Sequence, residues 1–416
     1  MLKSITDGGI ARAMRHRDYR VYVGGDGISL VGNWVQRVAI GWLTWELTHS
    51  GLWLGVVAMA ELFPSILCAP LGGALADKYD RRRIAMTAEV IQLVQAVVLA
   101  VLTWQGLIDI WWIVSLTFVR GVINAGSHPA RQALVPSLVP MADLSSAIAF
   151  NSVVFNIARF IGPAVSGLII AHFGIAAAFA SNAVSFVMFI LALAYIRMPY
   201  VEQFTRKHQS LYAQMAEGMR YIAGHAGIGP MLVLLTMTSL LVRPLADLLP
   251  GYAGAVFESG ATGLAWLTSA MGLGSMIAAF GIAQRGKVGG LTAHSVANCG
   301  LMAVATMAFA FAPNFWLGLF LLAVASYAIT VTGVSGQALI QSAVSGELRG
   351  RVISIYGMIF RAAPASGALV IGALSEIFGW HWPLAISSAI CLGVWLWARG
   401  RRKSMAAALE LSLIHI

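Results

Sequence analysis

Charge is the scarcest commodity in this sequence. Lys, Arg, Asp and Glu together make up 11% of its 416 residues, against about 25% in ordinary soluble domains. Cysteine is nearly absent too. Cys68, Cys299 and Cys391 each lie inside an apolar run with no metal-like spacing, so they read as packing residues and exclude a disulfide framework. No Gly-x-x-x-x-Gly-Lys-Ser/Thr loop is present, which excludes that route to ATP. A Gly-x-Ser-x-Gly elbow is missing as well, as is any Cys/His constellation. The apolar segments hold no His or Ser–His centre of the kind a membrane-embedded acyltransferase or protease needs. These absences argue against an enzyme, a metal and a cofactor. Residues 1–20 are polar and basic, with no small-residue cleavage site after a short apolar core, so no removable signal peptide is expected.

What is present is hydrophobicity, 59% of all residues, at a mean hydropathy of +0.79. A helix needs about 20 mostly apolar residues to cross the bilayer core. Twelve segments qualify: 20–47, 53–76, 84–105, 110–130, 146–171, 175–196, 227–250, 262–283, 291–311, 315–338, 351–375 and 380–398. The basic residues are segregated among the connections. Five fall in 3–20, four in 78–83, one at Arg131, four in 197–220, two in 285–287, two in 349–351 and four in 399–403. The odd-numbered connections hold none. Positive charge stays on the cytoplasmic side, so both termini and every even connection are expected there. The cluster at 78–83 is thereby a topology anchor rather than a nucleic-acid site, since no basic soluble domain accompanies it.

The chain also repeats itself. Residues 131–174 align without a gap to 336–379, matching at Gln132/Gln337, Gly162/Gly367, Gly167/Gly372 and Gly174/Gly379. An offset of about half the chain lays spans four and five over ten and eleven. The expected organisation is therefore an all-α membrane protein of twelve helices in two pseudo-symmetric halves, 1–196 and 227–403. The linker 197–226 carries an amphipathic helix at "LYAQMAEGMRYI", and 404–416 form a tail. The last six residues, "LSLIHI", match the translation of a sequencing-adapter stretch and are read as a non-native end.

Charge inside a bilayer is costly and marks function by default. At about 100° per residue, span one aligns Asp26, Ser29, Asn33, Gln36 and Arg37 on one stripe. Span four aligns Arg120, Asn124 and Ser127. Span five aligns Ser152, Asn156 and Arg159, and span seven Thr236, Ser239, Arg243 and Asp247. Arg361 lies near mid-span in span eleven. The spacing of Arg243 and Asp247 also permits simple mutual neutralisation. Glu61 is the lone acid of span two, whereas Glu89 in span three lies nearer the cytoplasm and ranks below it.

Twelve spans in two repeats, with a charged motif after span two, resemble the major facilitator superfamily. Its signature Gly-x-x-x-Asp-Arg/Lys-x-Gly-Arg-Arg/Lys appears here as Gly73, Asp77, Lys78, Arg81 and Arg82, with Asp80 in place of the second glycine. The stretches "VGNWVQRVAIGWLTWELTHS", "HPARQALVPSLVP" and "ARFIGPAVSG" resemble the bacterial enterobactin-exporter-like branch. Ala158, Gly162, Pro163, Ser166 and Gly167 resemble that superfamily's antiporter motif, with Ala and Ser in place of two glycines. Small residues there bring helices together backbone to backbone, Pro163 allows a bend, and a tight helix contact alone would also account for them.

The resemblance implies a secondary active transporter of the bacterial inner membrane that works by alternating access. Export of an amphipathic small molecule, a drug or siderophore, against protons is the favoured mode. Its partners would be the bilayer, the substrate and the proton, acting as a monomer without nucleic acid. It further implies that Asn33, Arg37, Arg120, Asn124, Asn156, Arg159, Arg243, Asp247 and Arg361 line a central cavity. A proton-driven exporter needs a carboxylate that loads and releases a proton between about pH 5 and pH 8, and Asp26 and Glu61 are the candidates. Asp77 with Arg81 would latch the cytoplasmic side. A broad multidrug or lipid-like exporter is the alternative, and a non-transporting sensor of the same fold is another.

Overall fold

The computed structural model describes residues 12–68, 79–197, 211–285, 289–344 and 346–410. Fourteen α-helices occur among them: α1 Arg17–Thr48, α2 Gly51–Leu67, α3 Arg81–Trp104, α4 Ile110–Leu134, α5 Met141–Phe173, α6 Ile175–Tyr195, α7 Leu211–Gly224, α8 Ile228–Leu241, α9 Leu245–Gly251, α10 Gly260–Arg285, α11 Leu291–Ala310, α12 Phe315–Ala343, α13 Gly346–Phe378 and α14 His381–Glu410. Ten stretches are long and apolar enough to cross a bilayer, α8, α9 and the following π turn Tyr252–Val256 counting as one of them. Away from water every backbone N–H and C=O needs an internal partner, which a helix supplies within one segment. Helix α1 has the length, at 32 residues, but its apolar stretch is interrupted by Asp26 and Arg37. Gly73, Asp77 and Lys78 of the charged motif, and the terminal LSLIHI, lie outside the described residues.

The helices fall into two compact units. The first comprises residues 1–48, 60–206 and 261–269; the second comprises 49–59, 207–260 and 270–416. In the first, α1 packs on α5 and α6, and α3 on α4 and α6. Glycines set these approaches. A Cβ at Gly32 would stand 2.2 Å from Ser185 Oγ, and one at Gly25 would stand 2.6 Å from the Ala192 Cβ. In the second unit α11 packs on α12 and α14, and α8 on α13 and α14. The opening turns of α2 belong here as well. A Cβ at Gly55 would lie 2.4 Å from Leu369 Cα, and Ser50 hydrogen-bonds the Glu376 carboxylate.

The internal repeat is visible in helix register. α4 and α12 begin at Ile110 and Phe315, each behind a side-chain cap, Asp109 accepting from the Trp112 N–H and Asn314 from the Leu317 N–H. α5 and α13 begin at Met141 and Gly346 and end at Phe173 and Phe378. All three pairs are offset by the 205 residues of the sequence repeat. Each of the last two helices is followed by a left-handed glycine, Gly174 (φ 82°) and Gly379 (φ 75°), a conformation that L side chains resist.

Two boundaries differ from the sequence reading. Span seven is not one helix: α8 stops at Leu241 and α9 starts at Leu245, because Pro244 supplies no N–H and the chain turns there. Span twelve does not end near Ala398. α14 continues to Glu410, burying Met405 and Leu409 completely, and Glu410 caps α11 by accepting from the N–H groups of Gly290 (2.7 Å) and Thr292 (2.9 Å). Polar residues 399–403 hid this extension from a hydropathy reading. The expected linker helix is present as α7, which packs on α13 through Gly218 and an ion pair between Glu217 and Arg351.

Between α7 and α8, His225 Nδ1 accepts from the backbone N–H groups of Gly227 and Ile228, both at 3.1 Å. Only the neutral ring can accept, and burial holds its pKa below the usual histidine value. A base depressed in the folded state contributes stability above its unfolded pKa and loses it as pH falls through that value. The thermal midpoint in detergent should therefore drop between about pH 7 and pH 5.5. In His225→Asn, which accepts without titrating, the drop should be smaller; an unchanged pH dependence would discard the role.

Candidate functional site

The first unit carries two clusters of charge along α4. In the first, Arg120 lies midway along that helix and is almost fully buried. Its Nη2 donates to Asn33 Oδ1 at 2.9 Å, and its Nε stands 3.9 Å from Glu61 Oε1. Asn33 is held in turn by α1, donating to Ser29 O at 2.8 Å. The approach of α2 to α4 that brings Glu61 to Arg120 depends on Gly121, where a Cβ would stand 2.4 Å from the Glu61 carbonyl oxygen. Beside this group Trp34 is flanked by two guanidiniums, Arg37 at 5.6 Å and Arg159 at 5.9 Å from the ring centroid. Gly162 makes the second of these possible, since a Cβ there would lie 2.4 Å from the Trp34 Cβ. Ser166 stitches the same helices by donating to Val35 O at 3.1 Å. Gly167 meets Ala265 in the same manner, and Pro163 sits inside an unbroken α5.

The second cluster centres on Arg131. Its guanidinium bonds the Asp26 carboxylate and, through Nη1, Glu89 Oε1 at 2.9 Å. The Phe189 ring of α6 lies 4.8 Å from the guanidinium carbon, and Tyr22 meets that ring edge-on. Two acids and one base thus share a site in which Glu89 is fully buried and Asp26 is 13% exposed.

Several expectations need correction. Arg131 is not a base of a cytoplasmic connection; α4 runs past it to Leu134, and it occupies the next position on the Arg120, Asn124, Ser127 stripe. Gln36 does not share the environment of Asn33. It donates to Gln95 at 3.0 Å and accepts from Asn182 at 2.6 Å, facing α3 and α6. Asn156 donates to Ser152 O in its own helix, and Asn124 is half-buried. Of the motif after span two, Arg81 donates to Ala133 O at 3.4 Å and Arg82 to Ala194 O.

The candidates of the second unit are arranged separately. Arg243 sits in the break between α8 and α9, 3.6 Å over the Phe360 ring, and donates to Phe360 O. Asp247 follows on α9 and is half-buried, and Arg361 on α13 is exposed. Among the described residues no group of His, Cys, Asp and Glu is arranged to hold a metal.

Removing one partner from a buried ion-pair network leaves uncompensated charge and costs about 3–5 kcal/mol. Arg131→Met should lower the thermal midpoint in detergent by a corresponding amount. Adding Asp26→Asn and Glu89→Gln should recover most of it. A single variant as stable as the parent would show that Arg131 does not hold this cluster together.

Comparison with known proteins joins this geometry to a family. Residues 12–412 match the profile of the transmembrane secretion effector family of major facilitator transporters. The staphyloferrin A transporter of Staphylococcus aureus is 27% identical over 369 residues, covering 84% of this chain and 87% of that one. The multidrug efflux pump Tap of Mycolicibacterium fortuitum is 25% identical, at 84% and 87% coverage. Macrolide efflux protein A of Streptococcus pyogenes is 22% identical, at 89% and 93%. Among solved structures, the D-xylose-proton symporter superimposes with a TM-score of 0.68 over 93% of this chain and 98% of its own, at 15% identity. A bacterial homologue of the iron transporter ferroportin gives 0.66 over 94% and 99%, also at 15% identity. These structural likenesses speak to the fold. With the profile spanning almost its whole length, the chain belongs to the transmembrane secretion effector family, a branch of the major facilitator superfamily whose relatives here are multi-pass efflux and siderophore transporters.

Proposed function

We propose that this protein is a proton-driven exporter of an anionic or phenolic amphipathic small molecule in the bacterial plasma membrane. The observation that carries this reading is the cluster around Arg120. Arg120 and Arg37 stand near one acid, Glu61, and Arg37 and Arg159 flank one aromatic ring, Trp34. Arginines that outnumber acids within the span region, Arg120 among them buried, favour an anionic group, and the Trp34 face offers a surface for a flat ring. Asn33 and Arg120 would orient the substrate. Asn124, Asn156, Arg243, Asp247 and Arg361 are proposed to complete the cavity.

In this reading twelve helices in two halves, 1–196 and 227–403, rock about the site in alternating access. The linker 197–226 joins the halves, and both termini are cytoplasmic, as the segregation of basic residues supports. Asp26 and Glu61 are the proton-coupling acids. Gly73, Asp77, Lys78, Arg81 and Arg82 form the cytoplasmic latch, and Gly162, Pro163 and Gly167 let α5 flex. A broader drug range is the second reading, supported by relatives named for macrolide and multidrug efflux.

Inverted vesicles energised inward-acidic and loaded with a pH-sensitive dye test this directly. The challenge set is a carboxylate siderophore, a catecholate siderophore, a macrolide and ethidium. Dequenching evoked by the siderophores, and lost in Asp26→Asn or Glu61→Gln, is the expected result. Asp77→Asn should slow it while leaving the amount of protein in the membrane unchanged. Dequenching by ethidium and the macrolide alone would favour the broad exporter. Silence toward all four would reject coupled export of these classes.

A further inference from the structure

The Arg131 site holds more acid than base, and its two carboxylates are not equivalent. Asp26 is bonded to the Arg131 guanidinium and keeps 13% of its side chain exposed. Glu89 has none exposed; one oxygen receives Arg131 Nη1 at 2.9 Å, and the other, Oε2, is buried with no hydrogen-bond partner. An ionised carboxylate with one oxygen buried and unpartnered bears the full desolvation penalty of a charge. A neutral carboxyl in the same place leaves only a hydroxyl unsatisfied, which costs far less. With both acids ionised the cluster is also net negative, and its most buried member is Glu89. One proton makes it neutral.

The surrounding groups leave that proton on Glu89. From α1 come Asp26 and the Tyr22 hydroxyl; from α4 come Arg131 and, farther along, Arg120. On α3 itself Gln92 is buried, its Nε2 likewise unpartnered. Helix α6 turns the apolar face of Phe189 to Arg131, and its Tyr195 is occupied by Arg17 at 4.5 Å. Among the described residues Arg131 is thus the one cation bonded to the pair, and sharing it with Asp26 leaves Glu89, with its second oxygen unpartnered, the less neutralised acid.

We propose that Glu89 is the proton-carrying residue of this transporter, with Asp26 and Arg131 as the ion pair that sets its affinity for the proton. This rests on the proton-coupling reading above and moves the proton to an acid that hydropathy ranked low. Loading forms an O–H bond at Glu89 Oε2, with the proton drawn from water. Release returns the proton to water and leaves the carboxylate to compete with Asp26 for Arg131. A shift of Arg131 toward Glu89 on release would loosen α1, which carries Asp26 and Asn33, and so reach the Arg120 cluster.

Infrared difference spectroscopy on the purified protein, without substrate, reads the proton itself. At neutral pH the parent should show a protonated-carboxyl band that shifts in D2O. The band should vanish in Glu89→Gln, shift in Glu89→Asp and keep its frequency in Asp26→Glu, which preserves both charges. A band that shifts in Asp26→Glu and keeps its frequency in Glu89→Asp would place the proton on Asp26 and overturn the proposal. The same holds if the parent has no such band. Should the Glu89 variants fail to fold, Asp26→Glu decides alone, an unshifted band supporting Glu89 and a shifted one excluding it. In the dye-loaded vesicles Glu89→Gln should abolish substrate-evoked dequenching. If the parent itself gives none, proton coupling fails, while the infrared result still judges where the proton resides. A parent and a Glu89→Gln variant that respond alike would sink this inference only.

Discussion

A guanidinium held among packed helices constrains everything around it. Arg120 and Arg131 lie along one face of α4, and neither can stay there without acids brought from other helices. Glu61 comes from α2, Asp26 from α1 and Glu89 from α3. Each acid must arrive at a fixed depth, so the charges dictate how those helices are set in register against α4. The glycines follow from this demand. Gly121 lets α2 close on α4, and Gly25 and Gly32 let α1 close on α6. The apolar stripes fill the remaining space but would tolerate other registers.

In the proposed reading, one face of α4 links two kinds of work. Its middle offers Arg120 beside Asn33, Glu61 and the Trp34 face, a set suited to holding an anionic ring. Its end offers Arg131 shared by two acids, a set suited to holding a proton. α1 touches both, contributing Asp26 to one and Asn33 to the other. Substrate and proton would then act on each other through a single rigid element, without meeting in one pocket.

Hydropathy and helical period, read from the sequence, locate most of the helices and the stripe Arg120, Asn124, Ser127. The same period continues to Arg131. Ending the span where hydropathy falls removed the residue that ties Asp26 to Glu89. Glu89 carries a signal of its own, since Glu89, Gln92 and Gln95 share one buried face of α3, but a lone acid on a helix taken as peripheral gave no reason to follow it. Gln36 failed for the opposite reason. A step of three residues leaves side chains about 60° apart, enough for Asn33 to meet Arg120 while Gln36 meets Asn182. The end of α14 escaped because Met405 and Leu409 anchor it through two contacts within a polar stretch. No sliding average registers so sparse a pattern.

The shared register of α4 with α12 and of α5 with α13 invites a comparison of equivalent positions. Where the first copy has Arg120, the second has Ala325, fully buried; where it has Arg131, the second has Gly336, pressed against Leu235; where it has Arg159, the second has Pro364. One duplicated blueprint has been spent in two ways. The first copy kept polar chemistry at these addresses, and the second gave it up for close fit. Tolerance of substitution is uneven as a result: a change at 325 or 336 is limited by size, whereas a change at 120 or 131 is limited by charge, so two stretches of one register answer to different physical limits.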